Sequence, residues 1–150
     1  MLAYDKIILM IFFKRQGAKM RVIICIDDNL GMLFGGKRQS RDSRVLEDIK
    51  SNFEPIVILP FSEKLIAPSG ISFTVKSDIS EIKENETVFI ENLNPATFSD
   101  KIDEIIAYRW NRKYLSDMRC TLDFKSLKKI STCDFVGSSH DKITREVYKK

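Results

Sequence analysis

Arg21-Val22-Ile23-Ile24-Cys25-Ile26, closed by Asp27-Asp28, is a continuous apolar run that ends abruptly in charge. It does not alternate and is too short for a helix, so it predicts a strand buried on both faces. Such a strand needs cover above and below. The residues that follow predict that cover: Ser40 or Asp42 can cap a helix whose apolar positions Val45, Leu46, Ile49 and Phe53 recur at helical spacing.

Further along, Pro55 opens a second buried strand at Ile56 to Leu59, and Pro60 and Ser62 suit a short helix start through Leu65. Ile71 to Val75 alternates as a half-wet strand would, and Thr87 to Ile90 is another short apolar strand. The polar stretch between them, 76 to 86, predicts a loop or a single helical turn. Ser99 as cap, Asp100 and Asp103 in the first turn, and Ile102, Ile105 and Ile106 on one face predict a helix running to Tyr108 or Arg109. Two further strands are expected at Cys120 to Phe124 and Ile130 to Phe135, and a terminal helical turn on the Ile143, Val147 spacing. Buried strands alternating with amphipathic helices, followed by strands close together, predict an α/β fold. The expectation is a single compact domain with a mixed β-sheet and flanking helices, over residues 20 to 150.

At 150 residues, 43% apolar and 31% charged, the chain has the size and composition of one globular domain. The formal charge of +4 is unevenly placed: Lys6, Lys14, Arg15 and Lys19 against Asp5 put +3 of it in residues 1–19 and leave the body nearly neutral. That leading segment has only a seven-residue apolar run, Ile7 to Phe13, far below the roughly 20 residues of a membrane span, and it lacks the features of a secretory signal. Gln16-Gly17-Ala18 can be encoded as CAA-GGA-GCN, which contains the ribosome-binding sequence AAGGAG at a suitable distance before Met20. Residues 1–19 are therefore a doubtful extension, with the natural start expected at Met20. Three unpaired, widely spaced cysteines, Cys25, Cys120 and Cys133, predict reduced thiols in a cytoplasmic protein with no membrane association.

A single histidine, His140, excludes zinc hydrolases and most transition-metal sites, so no metal site is expected. The candidate chemistry is His140 as acid or base with Asp27, Asp28 or Glu91 as its partner, the two aspartates closing the first strand where α/β folds bind ligands. Either aspartate can instead cap the loop or neutralise nearby arginines. Ser138, Ser139, His140 and Asp141 contain the residue types of a hydrolase, but consecutive residues cannot normally align as a triad, and a helix cap is the simpler reading.

Gly31-Met32-Leu33-Phe34-Gly35-Gly36-Lys37-Arg38 has the spacing of a phosphate-binding loop, but Arg38 stands where a hydroxyl must hold magnesium. Lys37, Arg38, Arg41 and Arg44 cluster at the expected helix start, where guanidinium forks and free amides favour an oxyanion. The alternative is a solvated helix end with local ion pairs. Tyr108-Arg109-Trp110-Asn111-Arg112-Lys113-Tyr114 interleaves aromatics and cations as base-stacking surfaces do, and equally as a helix end does. The leading expectation is thus binding of a phosphate-bearing or other anionic small ligand at the first strand, loop and helix. Lys37, Arg38, Arg41, Arg44, Arg109 and Arg112 are its contacts, and the cofactor is left open. The alternatives are an RNA-binding or RNA-processing protein, and a protein interaction module without catalysis.

Ile26-Asp27-Asp28, Gly31-Met32, Arg38-Gln39-Ser40-Arg41-Asp42, Tyr108-Arg109-Trp110-Asn111-Arg112 and Gly137-Ser138-Ser139-His140-Asp141 together resemble a family of small bacterial proteins that carry the label ribonuclease Z. That label implies a His-x-His-x-Asp-His zinc motif, which a chain with one histidine lacks. The first strand and its acidic, glycine-containing loop also resemble those of dihydrofolate reductase, over that segment alone.

Overall fold

The computed structural model describes residues 19–150. The doubtful extension, apart from Lys19, lies outside the described residues. The apolar run does form the heart of the molecule: β1 (Met20–Ile26) lies in the middle of a seven-stranded sheet, with Val22, Ile23, Ile24 and Ile26 fully buried. The sheet order is β5 (Phe73–Val75), β4 (Ile56–Ile58), β6 (Thr87–Phe89), β1, β7 (Ile102–Arg109), β10 (Ile143–Lys149) and β9 (Lys128–Phe135). Strands β5, β4, β6, β1 and β7 run parallel, while β10 pairs antiparallel with both β7 and β9.

This is a single compact domain with a mixed sheet and flanking helices. Alternation along β1 divides its core. Val22, Ile24 and Ile26 face one layer with Val88, Ile102 and Phe98; Ile23 faces the other with Ile58, Phe89, Ile106 and Tyr108. Helix α1 (Ser43–Phe53) covers that second face through Val45 and Ile49, and α2 (Glu63–Ile66) adds Ile66.

Three expectations are corrected. Residues 102–109 form the strand β7 rather than a helix, because a central parallel strand is apolar on both faces and its isoleucines satisfy helical spacing by density alone. Ile143–Lys149 is likewise a strand, its β-branched and aromatic residues packed between β7 and β9. The strand expected from Cys120 is the two-residue β8 (Met118–Arg119), followed by a 3-10 turn at Phe124–Ser126. The first loop also holds more order than expected. It is a hairpin of β2 (Gly31–Phe34) and β3 (Lys37–Arg38), joined by Gly35 and Gly36, both at positive φ as a tight two-residue hairpin turn requires. With β8 the hairpin makes a second, three-stranded sheet.

Candidate functional site

The carboxyl ends of the parallel strands carry three buried carboxylates, Asp27, Asp42 and Glu91. Asp27 closes β1 and is wholly used by structure. Its Oδ1 accepts from the N–H groups of Asn29 and Gly31, and its Oδ2 from Gln39 Nε2 and the N–H of Tyr114. Asp28 is exposed, with its N–H bonded to the carbonyl of Arg112.

Asp42 is the N-cap of α1 and accepts from the N–H of Arg44 at 2.9 Å. The turn between β9 and β10 closes over the same carboxylate: Ser138 and Ser139 each donate N–H and hydroxyl to it, and His140 Nδ1 lies 2.9 Å from its Oδ2. Burial alone would raise the Asp42 carboxyl, but these donors outweigh it and hold it well below the usual carboxylate range. Glycine is needed at 137 for this fit, since a Cβ there would stand 2.4 Å from Asp42 Oδ2. On its other edge, the His140 ring presents Nε2 to the Tyr114 hydroxyl at 2.8 Å and to Ser40 Oγ at 3.3 Å. Trp110 stacks on the imidazole with ring centroids 4.7 Å apart. The imidazole is therefore fixed in plane, with Asp42 setting which nitrogen carries the proton.

The sequence points to His140 with Asp27, Asp28 or Glu91 as its partner, and none of the three bonds to it. The structure brings it to Asp42, and joins Asp27 to the same region through Tyr114 and Gln39. Tyr114 and the hydroxyl of Ser40 were missed. The available signal was the run of small donors at 137–139, which suits the closing of a turn over a carboxylate.

Glu91 follows β6 and binds Arg38 through two hydrogen bonds of 2.7 and 2.9 Å, with Ser62 Oγ donating at 2.8 Å. The bond to Glu91 raises the Arg38 guanidinium above its ordinary value against the cost of desolvation. The other cations are dispersed. Arg44 pairs with Glu47 on the surface of α1, Arg109 of β7 pairs with Glu146 of the neighbouring β10, and Lys37, Arg41 and Arg112 are exposed.

A cleft of about 470 Å³ opens between α1 and α2, floored by Leu46, Leu65 and Pro68, with Asp42, Ser138 and Ser139 in its wall and Arg41 and Lys64 also lining it. A second cleft of about 650 Å³ follows β4, β5 and β6, lined among others by Phe61, Asp78, Asn92, Phe98, Asp100 and Lys101.

No family model matches the sequence, and no curated protein does. Among solved structures, the chain is similar to dihydrofolate reductase from Enterococcus faecalis in complex with NADP(H) and RAB-propyl. The two share 12% identity at a TM-score of 0.62, covering 87% of this chain and 95% of that one. The fold is therefore of the dihydrofolate reductase type, and the likeness of the first strand and loop extends over most of the chain.

That match overturns the ribonuclease Z resemblance, and with it the anionic-ligand, RNA and interaction-module expectations and their partners. The geometry supplies the reasons. Arg38 is neutralised by Glu91, and the α1 start carries its own carboxylate rather than free amides. Tyr108 and Trp110 are buried in the core and present no stacking face to a base. Among the described residues no helix is long and apolar enough to cross a membrane.

Proposed function

We propose that this protein binds a flat heteroaromatic ligand of the folate type in the cleft between α1 and α2. The observation that carries the reading is the cleft itself: an apolar floor of Leu46, Leu65 and Pro68 beside a few fixed polar groups, at the carboxyl edge of the parallel strands. The likeness to a dihydrofolate reductase supports the ligand class, and Arg41 and Lys64 suit the carboxylate tail of such a molecule. Its free thiols support a reducing, cytoplasmic setting.

The nicotinamide dinucleotide implied by the same likeness does not fit the residues present. A pyrophosphate needs glycine-lined backbone and free amides at a helix start. Here β6 leads into Glu91-Asn92-Leu93-Asn94-Pro95, the Asn94 side chain caps the N–H of Ala96, and the Pro95–Lys101 segment is a kinked 3-10 helix. Arg38, a cation at that edge, is held by Glu91.

Thermal unfolding in the presence of dihydrofolate, folate and NADPH, each alone, tests the reading. A ligand at a hundred times its dissociation constant stabilises by about 2.7 kcal/mol. For a domain of this size that is a rise of several degrees. Dihydrofolate or folate is expected to give it, Leu65→Arg to abolish it, and NADPH to give none. A melting temperature unmoved by either folate would end the proposal.

A further inference from the structure

We propose that Ser40, His140 and Asp42 form a nucleophile, a base and a positioning residue of an acyl-transfer site, acting on an uncharged carboxylic ester. This inference goes beyond the folate-type reading and does not depend on it. The roles follow from geometry rather than sequence order, which is how such sites are recognised. Asp42 Oδ2 lies 2.9 Å from His140 Nδ1, and the opposite ring nitrogen, Nε2, lies 3.3 Å from Ser40 Oγ. The first contact is fully buried, with side chains 1% and 0% exposed, whereas Ser40 is only half-buried. A buried acid and base behind a reachable hydroxyl is the arrangement a nucleophile requires.

Two further observations point the same way. The N–H of Arg41, the residue after Ser40, donates to nothing among the described residues, and an amide in that position can receive a developing oxyanion. The Tyr114 hydroxyl, 3.3 Å from Ser40 Oγ, and Leu115, exposed and bonded through its carbonyl to the Gln39 amide, are uncharged, and Asp27 beside them is taken up by four hydrogen bonds. A neutral acyl group suits them.

In the step, Ser40 Oγ attacks the ester carbonyl carbon and its proton passes to His140 Nε2. The bond to the leaving alcohol breaks, and the alcohol departs with that proton. Water then attacks the acyl-Ser40, giving a proton to Nε2. The carboxylic acid leaves as Ser40 Oγ recovers it. Tyr114 competes with Ser40 for Nε2 at 2.8 Å, so the resting protein holds the base partly occupied.

The experiment is reaction of the whole protein with an alkyl fluorophosphonate, read by intact mass and peptide mapping, beside hydrolysis of p-nitrophenyl acetate. One adduct on Ser40 is expected, with labelling and hydrolysis reduced at least 100-fold in Ser40→Ala. Tyr114→Phe is expected to speed labelling, because it frees Nε2. Asp42→Asn, with its folded fraction confirmed by its unfolding transition, is expected to slow the covalent step while leaving the reagent's saturation constant unchanged, a split that mere loosening of structure would not give. No adduct on the wild-type protein, an adduct on Tyr114 or another residue, or undiminished labelling of Ser40→Ala would each overturn the assignment. Because mapping is done on the wild type, an unfolded variant does not rescue it.

Discussion

Asp42 and Glu91 are buried carboxylates at the same edge of the sheet, satisfied by opposite means. Glu91 is held by a permanent cation, Arg38, and one hydroxyl. Asp42 is held by backbone N–H groups, hydroxyls and an imidazole, and no lysine or arginine side chain bonds to it among the described residues. The difference is chemical. A guanidinium cannot release its proton, so the Glu91 pair is inert, whereas the Asp42 cluster ends in a ring nitrogen that faces two hydroxyls.

Removing the carboxylates one at a time tests this contrast most strongly. Asp42→Ala is expected to cost about 3–5 kcal/mol, because it uncaps α1, removes the acceptor of the Ser138 and Ser139 N–H groups and strands the buried His140 Nδ1 without its partner. Chemical denaturation would show the midpoint falling at unchanged slope. Glu91→Ala is expected to cost about 2–4 kcal/mol by stranding a partly buried guanidinium. The double replacement Arg38→Met, Glu91→Leu should be milder than Glu91→Ala alone; an equal or larger loss would mean that the pair is not mainly a charge-compensating device.

Acid acts on the Asp42 cluster through its carboxylate. The Asp42 carboxyl is depressed in the folded state, so the unfolded chain binds its proton first. Its contribution is fully present above the ordinary aspartate value of about 3.9 and is lost as pH falls through and below it. Stability of the wild type measured from pH 6 to pH 2.5 should therefore fall more steeply than that of Asp42→Asn. Parallel curves would show that the cluster does not depend on the charge. The smallest effect expected is that of Ser62→Ala, about 1 kcal/mol for one hydrogen bond to a carboxylate that keeps its arginine.

Much of this fold was legible in the sequence, and the misreadings share one cause. β1, α1, β4, β6 and β9 were read correctly because each has a pattern belonging to one element type: an unbroken apolar run, a capped 3.6-residue stripe, or a β-branched stretch between breakers. In β7, Ile102, Ile105, Ile106 and Tyr108 fit a helix face, and only the sheet's burial of both sides explains why Ala107 is buried too. The Gly35-Gly36 pair between Phe34 and Lys37 did carry a hairpin signal, masked by the overlapping phosphate-loop spacing. For the site, the importance of His140 was visible from its solitude. Its partners were not, since Asp42 and Ser40 lie 98 and 100 positions away and nothing local encodes that pairing.

The closing of residues 138 and 139 over Asp42 spans 96 and 97 positions of chain. Helix α1 thus has its sequence early but its full complement of cap contacts only late. During synthesis the helix start must wait, with its carboxylate in water, until the last strand pair has emerged and docked beside β7. The native state is in this sense latched from its far end. Loss of the turn at 137–140 would be felt at a helix start laid down nearly a hundred residues before it.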